Sequence, residues 1–318
     1  MEWFYSLFCR VGLILFIGVM SVPVLAESTL TAKDEQQIRQ LMFRWNDALN
    51  KTPDAQPQFL YSSKVMWYGR SLSIQQVLAQ EQAYLAKNKG YFQEIISTLN
   101  IHPVEQADNL FEVSFVKRAG LTLDTSKNYP QEMRVVKEAQ GWRIVSETDG
   151  ITRANQSKEE RTDIARGKFD GQKLSYVWMT EEDPRTGKAC QPYNACDCAL
   201  WSSDFWVQPV KIPRCLANTV ETLSHLDDSG RDRVVVSPEW WSSNSRLVHV
   251  YDIQQGQWIR VLPVIDKNLN IQEAVRAADI VQRSAEHPGQ VNVTRAVWDE
   301  ENEVTKTEVV TQTLWELK

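Results

Sequence analysis

"VVKEAQGWRIVSETD", Val135 to Asp149, is the stretch whose reading decides the fold. Two apolar-alternating runs meet at Glu138-Ala139-Gln140-Gly141-Trp142. That is the composition of a tight hairpin, with Gly141 supplying the positive φ. Working outward, "YFQEIISTLNIHPVE" (91–105), "NLFEVSFVKRAGLTL" (109–123) and "PQEMRVVKEAQ" (130–140) also read as strands. In the second of these, Phe111, Val113 and Phe115 alternate with Glu112 and Ser114, so one face is apolar. A meander of long strands with one face to bury needs something to cover that face.

The cover lies upstream, where the period is helical. Ile38, Leu41, Met42, Trp45 and Leu49 in "TAKDEQQIRQLMFRWNDALNK" (31–51) form one stripe of a helix. Thr31 with Asp34 fits a capping-box variant at its start, and Thr52-Pro53-Asp54 is expected to end it. "SSKVMWYGRSLS" (62–73) is a short β-type run closed by Gly69. Ser73 and Gln76 then form a second capping box for a helix carrying Ile74, Val77, Leu78, Tyr84 and Leu85, which stops at Asn88-Lys89-Gly90.

Helix, strand, helix, then a meander is an α+β order. The opening helix, "KVMWYG" and the terminal "VVKEAQGWRIVSETD" together resemble the NTF2-like superfamily over about residues 30–150. The resemblance implies a curved antiparallel sheet that wraps the first helix into a cone with a pocket. Members of that superfamily include isomerases, dehydratases, epoxide hydrolases and non-catalytic domains, so it implies a fold and no single activity. Pocket candidates are Trp67, Tyr68, His102, Glu132 and Arg134. A carboxylate in an apolar cone could act as a general base, but no acid–base pair is evident from spacing, and no catalytic residue is assigned.

The first residues, "MEWFYSLFCRVGLILFIGVMSVPVLAES", show one basic residue, a short apolar run and small residues near Ala26. This is a secretory signal pattern with cleavage expected after Ala26. The run is shorter than the ~20 apolar residues of a span, so no stable membrane insertion is expected after cleavage. The expected address is periplasmic or secreted. A net charge of −6 without a basic block excludes nucleic acid as a natural partner. The expected division is a signal peptide (1–26), the cone (27–150), a polar linker (151–172) with a short helical turn at "KEERTDIA", and a C-terminal domain (173–318).

That second domain reads as mostly β within an α+β class. "RLVHVYDIQQGQWIRVLPV" (246–264) is a hairpin turning at Gln255-Gly256, and "NLNIQEAVRAADIVQRSAE" (268–286) reads as a helix with Ile271, Ala274, Val275, Ala278 and Val281 on its apolar face. "LDDSGRDRVVV" faintly resembles an FG-GAP blade motif, but in one copy and without the alternating acids of a calcium loop, so Asp227, Asp228 and Asp232 are expected to be solvated turn residues. Asn155 and Asn292 begin glycosylation-type triplets, relevant only in a eukaryotic host.

Eight of the twelve tryptophans follow residue 170. Trp240 and Trp241, read as strand neighbours, should point to opposite faces, and with Trp201 and Trp206 they are the partner-binding candidates. Cys190, Cys196, Cys198 and Cys215 lack paired zinc spacing, and an even count in an exported chain favours two disulfides. Three connectivities are open, a direct Cys196–Cys198 bridge being disfavoured. No metal and no cofactor is expected. The expected function is an exported, non-catalytic binding protein for a protein or glycan of the cell envelope, a class that includes inhibitors and immunity-type proteins. The alternatives are a small-molecule hydrolase or isomerase using the pocket, and a structural accessory module of an envelope assembly.

Overall fold

The computed structural model describes residues 30–50, 57–105, 107–159, 161–188, 190, 194–241 and 244–317. The expected signal peptide and the helix stop at Thr52-Pro53-Asp54 lie outside the described residues. The chain is strand-rich with few helices.

The N-terminal part comprises α1 (Ala32–Asn50), β1 (Tyr61–Trp67), β2 (Arg70–Ser73), α2 (Ile74–Lys87), β3 (Phe92–Ile95), β4 (Asn100–Pro103), β5 (Leu110–Gly120), β6 (Lys127–Glu138) and β7 (Gly141–Asp149). One sheet runs β2-β1-β7-β6-β5-β3, with β4 also on β5, and β1 lies parallel to β7. At the start of α1 the backbone N–H of Asp34 donates to Thr31 Oγ1 at 3.1 Å, and α2 carries the full Ser73/Gln76 capping box. The stripe Ile38, Leu41, Met42 and Trp45 is buried against Val113, Phe115, Met133, Val135 and Ile144 of the sheet. Each such side chain contributes ~1.5–3 kcal/mol on burial, so the helix is held by its stripe rather than by propensity.

Residue parity along β7 changes once. From Glu138↔Gly141 to Val135↔Ile144 the pairing with β6 is regular, and it then resumes at Arg134↔Ser146. Val145 is the extra residue of a β-bulge. Without it, Glu147 and Asp149 would share the outer face with Arg143; with it, they join Trp142 and Ile144 inside the cone.

The rest of the chain forms three further sheets. The first is β11-β10-β9-β8, from β8 (Ile164–Gly167), β9 (Ser175–Glu182), β10 (Asp197–Ser202) and β11 (Val210–Pro213). The second is β12-β13-β14-β15 with β16 on β14, from β12 (Ala217–Leu223), β13 (Arg233–Glu239), β14 (Ser245–Gln254), β15 (Gln257–Arg260) and β16 (Ile265–Asn268). The third is β17 (Val281–Arg283), β18 (Gln290–Asp299) and β19 (Val304–Thr313). Val234, Val235 and Val236 are all buried because the middle sheet is covered on both faces. Val234 and Val236 pack towards Val177 and Leu200, and Val235 towards Val248 and Val291.

Four readings of the sequence are corrected. The segment 151–172 is not a free linker: it continues α3 (Gly150–Gln156) and β8, and Ile164, Ala165 and Phe169 are buried. A Cβ on Gly150 would stand 2.5 Å from Ile164 Cδ1 and 2.8 Å from Pro130 Cγ, so the two parts of the chain meet there at backbone contact. The helix expected over 268–286 is only α4 (Leu269–Gln272) followed by a 3-10 turn at Ala277–Ile280, and Val281 enters β17 opposite Val293. Strand pairing and core burial of Ile280 and Val281 override the helical period, and Ile271 is left exposed. Trp240 and Trp241 follow the end of β13 instead of sitting within it. Asp227 is not a freely solvated turn acid: it accepts from the buried Arg233 at 2.9 and 2.7 Å, and Arg233 also reaches Asp252 at 3.3 Å. Burial pushes the Asp227 carboxyl up, but hydrogen bonds from Arg233 and Ser229 outweigh it and hold it below the ordinary range.

The disulfides are Cys190–Cys196 and Cys198–Cys215. Cys198 and Cys215 are buried in the core with Leu200 and Ile212. No helix of the described residues is long and apolar enough to cross a membrane.

Candidate functional site

The cone is hollow. A cavity of about 640 Å³ opens between α2, the rim of β5 and β6, and the end of β7. Trp67, Tyr84, Tyr91 and Tyr129 give it an aromatic wall, and Glu81, Lys117, Glu147 and Asp149 bring charge into it. The inward parity of β5 that buries Phe111, Val113 and Phe115 also carries Lys117 inside, and the bulge in β7 does the same for Glu147.

Glu147 is 3% exposed and is the hub. Its Oε2 accepts from Trp45 Nε1 at 3.1 Å and from the Tyr61 hydroxyl at 2.7 Å, and its Oε1 accepts from the Tyr68 hydroxyl at 3.3 Å. The Tyr61 hydroxyl also lies 2.8 Å from Glu81 Oε1. A phenol carries one proton and can donate to one carboxylate only. The other contact is satisfied only when its carboxyl is protonated, so Tyr61 ties the protonation of Glu81 to that of Glu147.

The electrostatics agree. Burial, then the Glu147 charge, pushes the Glu81 carboxyl up to about 7, with Tyr61 and Lys117 opposing. Burial also raises Glu147, against Lys117 and its three hydrogen-bond donors. Tyr61 is driven well above the phenol range by burial and by the two carboxylates. Burial pulls the Lys117 ammonium down while Glu147, Asp149 and Glu81 hold it up. Its Nζ stands 5.4 Å from the Trp45 ring and 5.9 Å from the Tyr129 ring. Asp149 is occupied as the N-cap of α3, accepting from Thr152 N at 2.7 Å and Thr152 Oγ1 at 2.8 Å. Gln93 Nε2 is buried without a partner among the described residues and lines the cavity.

Of the residues expected in the pocket, Trp67 and Tyr68 line it. His102, Glu132 and Arg134 do not, because strand parity places them on the outer face of the sheet. Arg134 is exposed beside Glu112 at 3.5 Å, and Glu132 pairs with Arg153 of α3. His102 and Glu132 border a separate cleft of about 180 Å³ against β9. Glu81, Lys117, Tyr61 and Glu147 were not legible as site residues. Glu81 sits on a helix with many polar neighbours, and the inward turn of Glu147 depends on a bulge that no local motif marks.

Among the tryptophans, Trp206 is 59% exposed and Trp241 47%, while Trp201 is half-buried with its Nε1 donating to Thr180 Oγ1 at 2.8 Å. Trp240 is also half-buried. Among the described residues no group of three or more His, Cys, Asp or Glu could hold a metal ion.

No protein-family profile and no curated protein matches this chain. Solved structures are similar to part of it. They include an uncharacterised protein with a cystatin-like fold from Caulobacter vibrioides, 14% identical, covering 39% of this chain and 95% of that one at a TM-score of 0.32. An NTF2-like protein of unknown function from Pseudomonas putida KT2440 is 17% identical over 37% of this chain and 87% of its own, at a TM-score of 0.33. A domain of unknown function with a cystatin-like fold from Nostoc punctiforme is 22% identical over 37% and 77%, at 0.31. Likeness at this level transfers neither activity nor ligand to this chain.

Proposed function

We propose that the cone binds a small, flat carbonyl compound and moves a proton on it, as an isomerase does, with Glu81 as the general base. The observation that supports this reading is the Glu81–Tyr61–Glu147 chain at the cavity wall, where burial and the Glu147 charge push the Glu81 carboxyl up to about 7. A base with that affinity for protons is half-ionised near neutral pH and can both take and return a proton. Lys117, buried in the same cavity, places a positive charge where an enolate oxygen would develop. The aromatic wall accepts a flat apolar body, and Gln93 Nε2 is free to donate to it.

Solvent deuterium exchange into a panel of enolisable ketones, followed by NMR, tests the reading. The wild type should exchange at least one of them, and Glu81→Gln should slow that exchange by about 100-fold or more, the usual range for a general base. Exchange that survives in Glu81→Gln, or none across the panel, overturns it.

A second reading concerns the remainder of the molecule. Export to an oxidising compartment fits the two disulfides. The exposure of Trp206, with Phe205 beside it at 4.9 Å between centroids, favours contact with a protein or glycan of the cell envelope. In that reading the C-terminal part holds the protein in place while the cone does the chemistry.

A further inference from the structure

The β18–β19 hairpin reaches beyond the core that anchors it. Val291, Val293 and Val310 hold its base against Val235, Val248 and Ile265. From Arg295 to Glu308, by contrast, no residue is buried. The five residue pairs from Arg295↔Glu308 to Asp299↔Val304 therefore form a two-stranded ribbon clear of the core. Trp298 on it is 60% exposed and Val304 49%. A two-stranded ribbon by itself is marginal in water, and a third strand is what ordinarily stabilises it.

The ribbon also carries the longest sheet edge among the described residues. Other edges are short: β2, β3, β8, β11 and β15 have four residues each and β17 three. The seven-residue β12 is covered, since the Val220 N–H donates to Thr162 O at 2.6 Å and Thr222 Oγ1 to Arg166 O at 3.0 Å. β19 runs ten residues, seven of them β-branched, with neither Pro nor Gly and with no shift of register against β18. Among the described residues no strand and no backbone hydrogen bond occupies its far side. Half of its backbone N–H and C=O groups point that way, a ready template for another strand. Charge does not blunt this edge, because Lys306 pairs with Asp299 at 2.7 Å and Glu308 with Arg295 inside the ribbon. On the other face Ala296, Trp298, Thr305, Thr307 and Val309 carry no charge at all.

We propose that the protein forms a two-fold dimer in which β19 pairs antiparallel with β19 of a second copy, joining the two three-stranded sheets into one. A two-fold axis normal to the sheet passes through one residue, which then faces its own copy. Centred on Lys306 or Glu308, the axis sets like charges opposite each other, which is destabilising. Centred on Thr305 it runs into the hairpin turn, and centred on Val309 it gives neither charge an opposite partner. Centred on Thr307 it sets Lys306 opposite Glu308 of the partner subunit, on both sides of the axis. Thr305 then faces Val309 of the partner subunit, and Val304 faces Val310 of the partner subunit. A second copy thus matches this edge in length, direction and charge order, and each ribbon gains the third strand it lacks. The dimer owes nothing to the chemistry of the cone.

Light scattering on size-exclusion fractions of the full chain, over a series of concentrations, reads the mass directly. The dimer fraction should rise with concentration. Lys306→Glu sets like charges opposite each other on both sides of the axis, and it should weaken association by about tenfold or more while the far-UV spectrum stays unchanged. A second measurement reads the register. Thr307→Cys brings two thiols face to face on the axis, and mild oxidation should link them into a covalent dimer. In Thr305→Cys the two thiols lie four residues apart along the strands, ~13 Å, and should stay unlinked. The wild type under the same oxidation is the control. A wild type that is monomeric at every concentration, a dimer left intact by Lys306→Glu, or equal linking at the two cysteine positions would each overturn the proposal. Glu81→Gln should dimerise like the wild type, which keeps the failure of this interface distinct from that of the cone.

Discussion

Glu81 shows how one side chain links the cavity to pH. Its folded carboxyl is raised from 4.5 to about 7 by burial and by Glu147. The folded state therefore binds this proton more tightly than the unfolded chain does. The associated stability is fully present below pH 4.5 and is lost as pH rises towards 7, where the carboxyl ionises beside Glu147. The loss is on the order of 1–3 kcal/mol, because the titration is shared with the Glu147 carboxyl. Glu81→Gln keeps a partner for the Tyr61 hydroxyl and carries no charge. Its urea midpoint should match the wild type near pH 5 and exceed it at pH 8; parallel profiles for the two proteins would show that Glu81 titrates normally. The residue scale is also where sequence reasoning reached least far. Trp67 and Tyr68 stand at a hairpin whose turn is visible in Tyr68-Gly69, but Glu147 faces inward only because Val145 is an extra residue in β7. His102, Glu132 and Arg134 are pocket candidates by residue type alone, and strand pairing turns them out.

At the scale of elements, local signals translated well where they closed on themselves. Both helix starts, the Ala139-Gln140 hairpin turn and the Gln255-Gly256 turn between β14 and β15 are made by residues adjacent in sequence. The segment after Asn268 failed because its apolar residues answer to β18 and the core rather than to one another. The disulfides are a further case, since pairing is set by tertiary placement. Cys198 on β10 and Cys215 just past β11 close a separation of 17 residues inside the core, whereas Cys190 and Cys196 close only 6. Loop closure gives about 3 kcal/mol to the first and about 2 kcal/mol to the second, and burial adds a packing loss to the first alone. Unfolding in denaturant should thus show Cys198→Ala with Cys215→Ala losing more than Cys190→Ala with Cys196→Ala. Equal losses would mean that the buried pair adds nothing beyond loop closure.

On the scale of the whole molecule, the cone and the remaining sheets are joined by more than the chain. Val116 on the outer face of β5 packs with Ile164 of β8 and Trp178 of β9, and Ile96, Ala154 and Trp201 lie against them. Polar contacts extend the seam: Asn128 Nδ2 donates to Ser202 O at 3.0 Å, Asn100 Nδ2 to Glu181 O at 3.1 Å, and Thr98 Oγ1 to Glu182 at 3.0 Å. Asn100 and Asn128 are buried, so separating the two parts would exchange these hydrogen bonds for water and expose Trp178, which is 3% exposed. The segment read as a linker supplies part of this seam, which is why the two parts should unfold together. Truncating Trp178 to Ala removes the largest apolar group at the junction, at a cost of about 3–5 kcal/mol. The wild type should show one transition by calorimetry and by tryptophan fluorescence. In Trp178→Ala the transition should split, the cone melting apart from the disulfide-bonded part. A variant that still unfolds in a single step, with its midpoint unchanged, would show that the junction does not couple them.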